Sequence, residues 1–228
     1  MGASNNKTFN SQVTFNGLFN DDWPEDVIKV EPMFFNASVQ FAMENGGPIT
    51  QEFLKGLPPG WDGAVLDSRV HMLMPGWYPA IPGYHHDDVP RPRVPVGQHF
   101  MTSGQPDYDN PRYYSEHLMG LVNGEICPTE FAIGRCMMPA VPDGQLIYRV
   151  WHEEVERLLA DGSLKRVSAP SGVYLGFNWQ TFHAGIKAVK NGWRWFCRLS
   201  RNTERCDHIT NEIRKQVQVY LEFPMEGW

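Results

Sequence analysis

Long apolar runs are missing from this sequence of 228 residues: none approaches the roughly 18 residues that a membrane-spanning helix requires. The polar start, MGASNNKTFNSQ, also lacks the charged segment followed by an apolar segment that is typical of a signal peptide. We therefore expect no membrane association and a cytoplasmic protein.

Cysteine is scarce, and none of the four cysteines forms a Cys-x-x-Cys pair. Disulfide frameworks and cysteine zinc sites depend on such paired or regularly spaced residues. We therefore expect free thiols. The cysteines are Cys127, Cys136, Cys197 and Cys206.

An excess of positive charge is also missing, because 20 Lys and Arg face 26 Asp and Glu and give a formal net charge of −6. This balance argues against a surface devoted to non-specific nucleic-acid binding. A local basic patch for nucleic acid stays open. The sequence leaves the oligomeric state undetermined.

Glycine and proline occur in short bursts that divide the chain into many short segments. Several of these segments are rich in β-branched and aromatic residues at strand length, for example VLDSRVHMLM, EFAIGRCMM, GVYLGFNW and WRWFCRLS. Many short strands between turns predict a sandwich or a barrel. The expected fold class is therefore mainly β with flanking helices.

The chain is expected to form one domain over residues 1–228, in which residues 1–60 are an N-terminal extension. Residues 144–160 carry apolar side chains at helical spacing and predict an inserted helix. Residues 206–221 are compatible with either a second helix or a late strand.

The segment IPGYHHDDVPRPR contains two overlapping His-x-Asp pairs. Alternate side chains of a strand share a face, so either His85 with Asp87 or His86 with Asp88 can point to one place. An imidazole and a carboxylate supply two of the three ligands of the facial triad that holds non-haem Fe(II). The segment therefore predicts part of a metal site.

The third ligand is predicted in the segment TFHAGIKAVKNGWRWFCRLSR, which contains His183. Its Asn191-Gly192 pair is a strong signal for a β-hairpin. The expected register places His183 opposite Ser200 and turns Arg198 and Arg194 to the same side. An arginine on an inward face needs an anionic partner, which a bound carboxylate would supply.

These positions resemble the signature of the Fe(II)/2-oxoglutarate-dependent oxygenases: His-x-Asp, a distal His, and an Arg roughly ten to fifteen residues further on, with the facial triad as metal site. The tract TEFAIG, Thr129–Gly134, is similar to a strand of phytanoyl-hydroxylase-like members. The resemblance spans residues 81–201 and implies a double-stranded β-helix, a jelly-roll or cupin-like fold.

The resemblance also implies the cofactors and the site. Fe(II), 2-oxoglutarate as cosubstrate and O2 would be used, with release of succinate and CO2. The metal ligands would be His85, Asp87 and His183. Arg198 with Ser200 would bind the distal carboxylate of 2-oxoglutarate, and Arg194 is the rival for that role or a second anion contact.

The substrate expected from this resemblance is small and polar, either anionic or similar to an amino acid or a nucleotide. Asp87 at the carboxylate position leaves no vacancy for a halide, so hydroxylation or desaturation is expected. Substrate contacts are predicted at Tyr84, Arg91 and Arg93, beside the metal ligands. Two alternatives stay open: a non-catalytic jelly-roll protein that binds a metal or ligand, and a cupin-type metal-dependent hydrolase or isomerase.

Overall fold

The computed structural model describes residues 6–91, 106–109, 113–142 and 145–221. Within these residues the chain is mainly β, with antiparallel sheets and short helices, which confirms the predicted fold class at this level. The strands are β1 (Lys7–Ser11), β2 (Thr14–Leu18), β3 (Met33–Phe35), β4 (Ala37–Ser38), β5 (Val65–Leu73), β6 (Glu116–Val122), β7 (Thr129–Met138), β8 (Lys165–Ser168), β9 (Val173–Asn178), β10 (Phe182–Gly185), β11 (Gly192–Arg201) and β12 (Glu212–Arg214). The helices are α1 (Glu25–Ile28), α2 (Val39–Asn45), α3 (Pro48–Lys55) and α4 (Ile147–Ala160).

The larger sheet has six strands in the order β2-β9-β6-β11-β5-β4. Its central strand, β11, is antiparallel to both β5 and β6. Side chains alternate along β11, so Trp195, Cys197 and Leu199 join the apolar core that includes residues of α2 and α3. The opposite face carries Arg194 and Arg198, which turns charged groups towards the interior of the molecule.

A smaller sheet joins β1, β7 and β10, with β8 also paired to β7. Its apolar residues share a second core with α4, in which Trp151 and Phe182 are fully buried. The two sheets pack over a third apolar core, to which Met119 and Phe177 of the larger sheet and Phe131 of the smaller sheet belong. Beside this core, Arg194 of β11 donates to Thr129 Oγ1 of β7 over 2.9 Å, so polar side chains also lie between the sheets.

The described part of residues 1–60, which were expected to form an extension, contributes strands to both sheets. Strand β1 pairs with β7, and β2 forms an edge of the larger sheet against β9. The buried residues Ile28, Ile49 and Phe53 pack into the same core as the larger sheet. This part of the chain is therefore integral to the fold.

The predicted hairpin at Asn191-Gly192 is wrong. Strand β10 pairs with β7, so that His183 lies opposite Phe131 rather than opposite Ser200. Both edges of β11 are already occupied by β5 and β6, which leaves no free edge for β10. The backbone between β10 and β11 forms hydrogen bonds with other segments. For example, the amide of Ala188 donates to the Trp77 carbonyl.

The helix predicted at residues 144–160 is confirmed as α4, although Gly144 lies outside the described residues. The stretch 206–221 contains the short strand β12 after a 3-10 turn at Glu204–Asp207, so the helical alternative is wrong. All four cysteines are free. Among the described residues, none of the helices combines the length and the apolar character needed to cross a membrane.

Candidate metal centre

His85 and His183 are joined through their backbones in an isolated antiparallel bridge. The amide of His85 donates to the His183 carbonyl over 3.0 Å, and the amide of His183 donates back over 3.2 Å. Paired residues of an antiparallel bridge project to the same side. Asp87, two residues after His85, projects to that side as well, and the ligand atoms of the three side chains lie within 4.8 Å of one another. We call these three residues the His-Asp-His group.

Both imidazole rings are oriented by backbone carbonyls. Nδ1 of His85 donates to the Gly83 carbonyl over 2.9 Å, and Nδ1 of His183 donates to the Thr181 carbonyl over 3.0 Å. A carbonyl oxygen only accepts, so in the neutral rings the proton is on Nδ1 and the lone pair is on Nε2. Metal-binding histidines are held in this way.

The two Nε2 atoms face the carboxylate of Asp87, at 2.9 Å from His183 and 3.7 Å from His85. A lone pair and a carboxylate oxygen at such distances repel each other unless a proton or a cation lies between them. Burial lowers the pKa of His85 to about 4, with the charge of His183 as the next cause. A neutral His85 favours a metal cation over a proton, so the group fits a divalent metal ion.

The carboxylate of Asp87 is held in its charged form. Burial alone would raise its pKa, but the charges of Arg198 and His183 outweigh burial and keep the pKa well below the usual value. Two imidazoles and one carboxylate form the donor set of the facial triad, which suits Fe(II) and leaves open coordination positions.

Arg198 is neutralised by carboxylates. Its Nη1 donates to Asp87 and its Nη2 donates to Asp67 over 3.0 Å. Asp67 also accepts from Arg205 over 2.7 Å, and Arg205 lies 3.4 Å from Asp88. Arg198 therefore connects the metal carboxylate to a buried network of charges.

An inner cavity of about 290 Å³ opens beside the His-Asp-His group, and Arg194, Arg198 and Thr129 contribute to its wall. Arg194 is only 2% exposed. Its Nη2 donates to Thr129, while its Nε has no hydrogen-bond partner among the described residues. No carboxylate of the described residues lies within ion-pair distance of Arg194. A buried, unpaired guanidinium is unfavourable by several kcal/mol, so the cavity is suited to an anion.

Ser200, the expected partner of Arg198, lies elsewhere. Its Oγ is 2.8 Å from Nδ1 of His117, and it does not contribute to the wall of the inner cavity. The preference for Arg198 as the carboxylate anchor depended on the hairpin register, which is wrong. The contacts favour Arg194, the rival for that role.

The alternative ligand pair is separated. The ring of His86 stacks on Phe182 with centroids 3.9 Å apart, and its Nδ1 is 2.8 Å from the Tyr108 hydroxyl. Asp88 faces Arg205. Of the two His-x-Asp pairs, only His85 with Asp87 therefore forms a group with His183.

The predicted substrate contacts have different positions. Tyr84 is buried with its hydroxyl 3.5 Å from Glu130, and it lies outside the wall of the inner cavity, contrary to expectation. Its ring packs in the core beside α4 because its neighbour His85 takes the inward position. Arg91 lines a second cavity of about 340 Å³, which also borders Asp87. Arg93 lies outside the described residues.

The sequence reasoning missed three cavity residues on β5, namely Asp67, Arg69 and His71. Their signal is visible in VLDSRVHML, where polar residues alternate with apolar ones at strand spacing. It also missed Thr129, because a lone threonine at the start of a strand gives no sign that it lines a cavity.

No family model matches this chain, and neither a curated protein nor a solved structure matches it. A function therefore has to be argued from the chemistry of the His-Asp-His group and its cavity.

Proposed function

We propose that this protein is an Fe(II)/2-oxoglutarate-dependent oxygenase that hydroxylates or desaturates a small polar substrate, with release of succinate and CO2. One observation carries the proposal: two carbonyl-oriented histidines and one aspartate converge beside a cavity that also holds a buried arginine, which has no carboxylate partner among the residues described. The two antiparallel sheets, which share an apolar core, support a jelly-roll fold of the double-stranded β-helix type.

The His-Asp-His group would hold the metal. Fe(II), when bound, supplies the chemistry that activates O2 and oxidises the substrate. The protein's own part is to fix the coordination and to exclude water. The rings of Phe177 and Phe131 pack against His183, with centroids 4.9 and 5.9 Å from its ring, and they keep the buried side of the group apolar.

Arg194 would bind the distal carboxylate of 2-oxoglutarate. Its guanidinium offers a fork of donors that matches a carboxylate, and the Thr129 hydroxyl beside it adds a further donor. Arg198 is already engaged by Asp67 and Asp87 and would instead keep the metal carboxylate in place. This division of roles differs from the one expected from the sequence.

The test is succinate formation from 2-oxoglutarate by the purified full chain in air. We expect slow succinate release that requires both Fe(II) and O2 and that is lost in Asp87→Ala. Asp109→Ala is the matched control and should retain the activity, because Asp109 is exposed and does not line the inner cavity.

Two results would contradict this function. Tight Fe(II) binding without any succinate, whether candidate amino acids and nucleotides are present or absent, would indicate the non-catalytic binding protein. Conversion of a substrate at an equal rate without O2 would indicate the hydrolase or isomerase.

A further inference from the structure

A second arginine in the wall of the inner cavity has no carboxylate partner in the part of the chain that the structure describes. Arg69 lies on β5 between Asp67 and His71, and the alternation of the strand turns all three towards the cavity. Asp67 is bound by Arg198 and Arg205. No carboxylate among the described residues forms an ion pair with Arg69.

The surroundings of Arg69 include further arginines. Burial lowers its pKa, the nearby charges of Arg214 and Arg198 lower it further, and the charge of Asp67 opposes this shift. Arg214 lies over the ring of Phe35 at 3.7 Å and likewise makes no ion pair with a described carboxylate. In a chain with a net charge of −6, two neighbouring arginines without acidic partners are an unusual local excess.

His71 adds an unsatisfied polar group to the same wall. It is 1% exposed, and neither of its ring nitrogens has a hydrogen-bond partner of normal geometry among the described residues, although the backbones of Pro79 and Gln218 are near. Buried polar atoms without partners are uncommon in folded proteins and indicate a missing water, ion or ligand.

The cosubstrate does not account for Arg69. 2-Oxoglutarate has two carboxylates, of which one belongs with the keto group at the metal and the other at Arg194. In the register of the sheet, His71 is opposite Arg194 and Asp67 is opposite Arg198, so Arg69 lies between the two ends that the cosubstrate would occupy. Its partner across the sheet is Phe196, which offers no charge.

We propose that Arg69, supported by Arg214 and His71, binds an anionic group of the substrate, a carboxylate or a phosphate. The identity of that molecule as a substrate depends on the proposed function, whereas the anion site itself does not. An anion held at Arg69 would fix the substrate in the cavity that contains the His-Asp-His group.

The experiment is a calorimetric titration of the full chain with inorganic phosphate and, separately, with acetate. The protein is first saturated with Mn(II) and N-oxalylglycine, which has the same two carboxylates as 2-oxoglutarate and fills the cosubstrate position. We expect one anion to bind, and we expect Arg69→Gln to weaken its binding at least tenfold. The affinity for N-oxalylglycine should change by less than about twofold. Arg69→Lys keeps the positive charge but loses the guanidinium fork, so it should retain more anion binding than Arg69→Gln and less than the parent protein.

Arg135→Gln is the matched control, because Arg135 is exposed on β7, in the smaller sheet, and the substitution should alter neither affinity. The proposal is overturned if the saturated parent protein binds neither anion. It is also overturned if Arg69→Gln weakens N-oxalylglycine and spares the anion, because Arg69 would then serve the cosubstrate. Stronger binding of phosphate than of acetate would identify a phosphorylated substrate, and the reverse a carboxylate.

A repeat of the titration without Mn(II) and N-oxalylglycine separates the two proposals. If N-oxalylglycine does not bind the parent protein, the oxygenase function fails. If phosphate binding then still depends on Arg69, the anion site stands without the oxygenase function. If phosphate does not bind either, both proposals are overturned.

Discussion

Arg194 and Arg198 lie four residues apart on the same face of β11, yet within the described segments of the chain only Arg198 contacts carboxylates. Arg198 bonds to Asp67 and Asp87, whereas Arg194 bonds to the neutral hydroxyl of Thr129. The two arginines of β11 therefore have different partners. Arg198 neutralises fixed charges of the protein, whereas Arg194 can bind an anion that enters the cavity.

The first prediction concerns Arg194. Arg194→Gln removes the charge that would bind the distal carboxylate, so the KM for 2-oxoglutarate should rise about tenfold to a hundredfold, in line with the loss of a charge-assisted hydrogen bond. The kcat should change much less, because the metal ligands are intact. Steady-state succinate kinetics measure both values. An unchanged KM would return the anchoring role to Arg198.

The second prediction concerns Arg198. Arg198→Met leaves Asp67 and Asp87 without their shared partner, and loss of one member of a buried ion pair destabilises by about 3–5 kcal/mol. Urea unfolding of the metal-free protein measures the change. Arg135→Met, at an exposed position, should stay within about 0.5 kcal/mol of the parent. A loss for Arg198→Met as small as that of the control would mean that the charge network contributes little.

Local patterns in the sequence were sufficient for several strands and for helix α4. The alternation in YHHDD predicts that only one His-x-Asp pair can face a given point, and the structure brings His85 and Asp87 together with His183. Helix α4 followed from its apolar spacing, with a start at Ile147. The strands and α4 depend on interactions between residues that are close in the chain, and the sequence shows these neighbours directly.

The hairpin failed because strand pairing is decided by distant partners. Asn191-Gly192 favours a tight turn, but β11 obtains two long antiparallel neighbours, β5 and β6, that local turn propensity cannot anticipate. The choice between Arg194 and Arg198 depended on that register. The proposal of Arg194 instead depends on the contact between Asp67 and Arg198, which no local pattern in the sequence indicates.

The third prediction tests the metal ligands. His183→Ala removes one of three donors, so Mn(II) or Fe(II) affinity should fall at least a hundredfold, more than the tenfold to hundredfold loss that follows from disturbing a ligand's supporting contacts. Calorimetric titration under nitrogen measures the affinity. His208→Ala removes an exposed imidazole and should bind metal as the parent does. Equal affinities for the two variants would exclude His183 as a ligand.

The fourth prediction is a loss of stability in acid. Burial lowers the pKa of His117 to about 4, whereas a histidine of the unfolded chain titrates near 6.5. As the pH falls from 6.5 towards 4, the unfolded chain binds a proton that the folded protein does not. The free energy of unfolding should therefore decrease by up to roughly 1.4 kcal/mol per pH unit from this residue, and the stabilisation is fully present above pH 6.5.

Urea unfolding of the metal-free protein at pH 7, 6 and 5 measures this dependence. His117→Asn should make the decrease with pH smaller, because one of the titrating groups is gone. His208→Asn, which replaces an exposed histidine, should keep the slope of the parent. If His117→Asn also keeps that slope, His117 is not the source of the effect.

The fifth prediction asks whether α4 is packing or a lid. Trp151 of α4 is fully buried, contacts Phe9 and Phe182, and donates from Nε1 to the Pro139 carbonyl over 3.0 Å. Trp151→Ala should therefore lower the free energy of unfolding by about 3–5 kcal/mol, the usual loss for a large core side chain. Glu153→Ala, on the same helix but outside the core, should change it by less than about 0.5 kcal/mol. A lid that opens during turnover would instead tolerate Trp151→Ala with little loss of stability, and the change would then appear mainly in kcat.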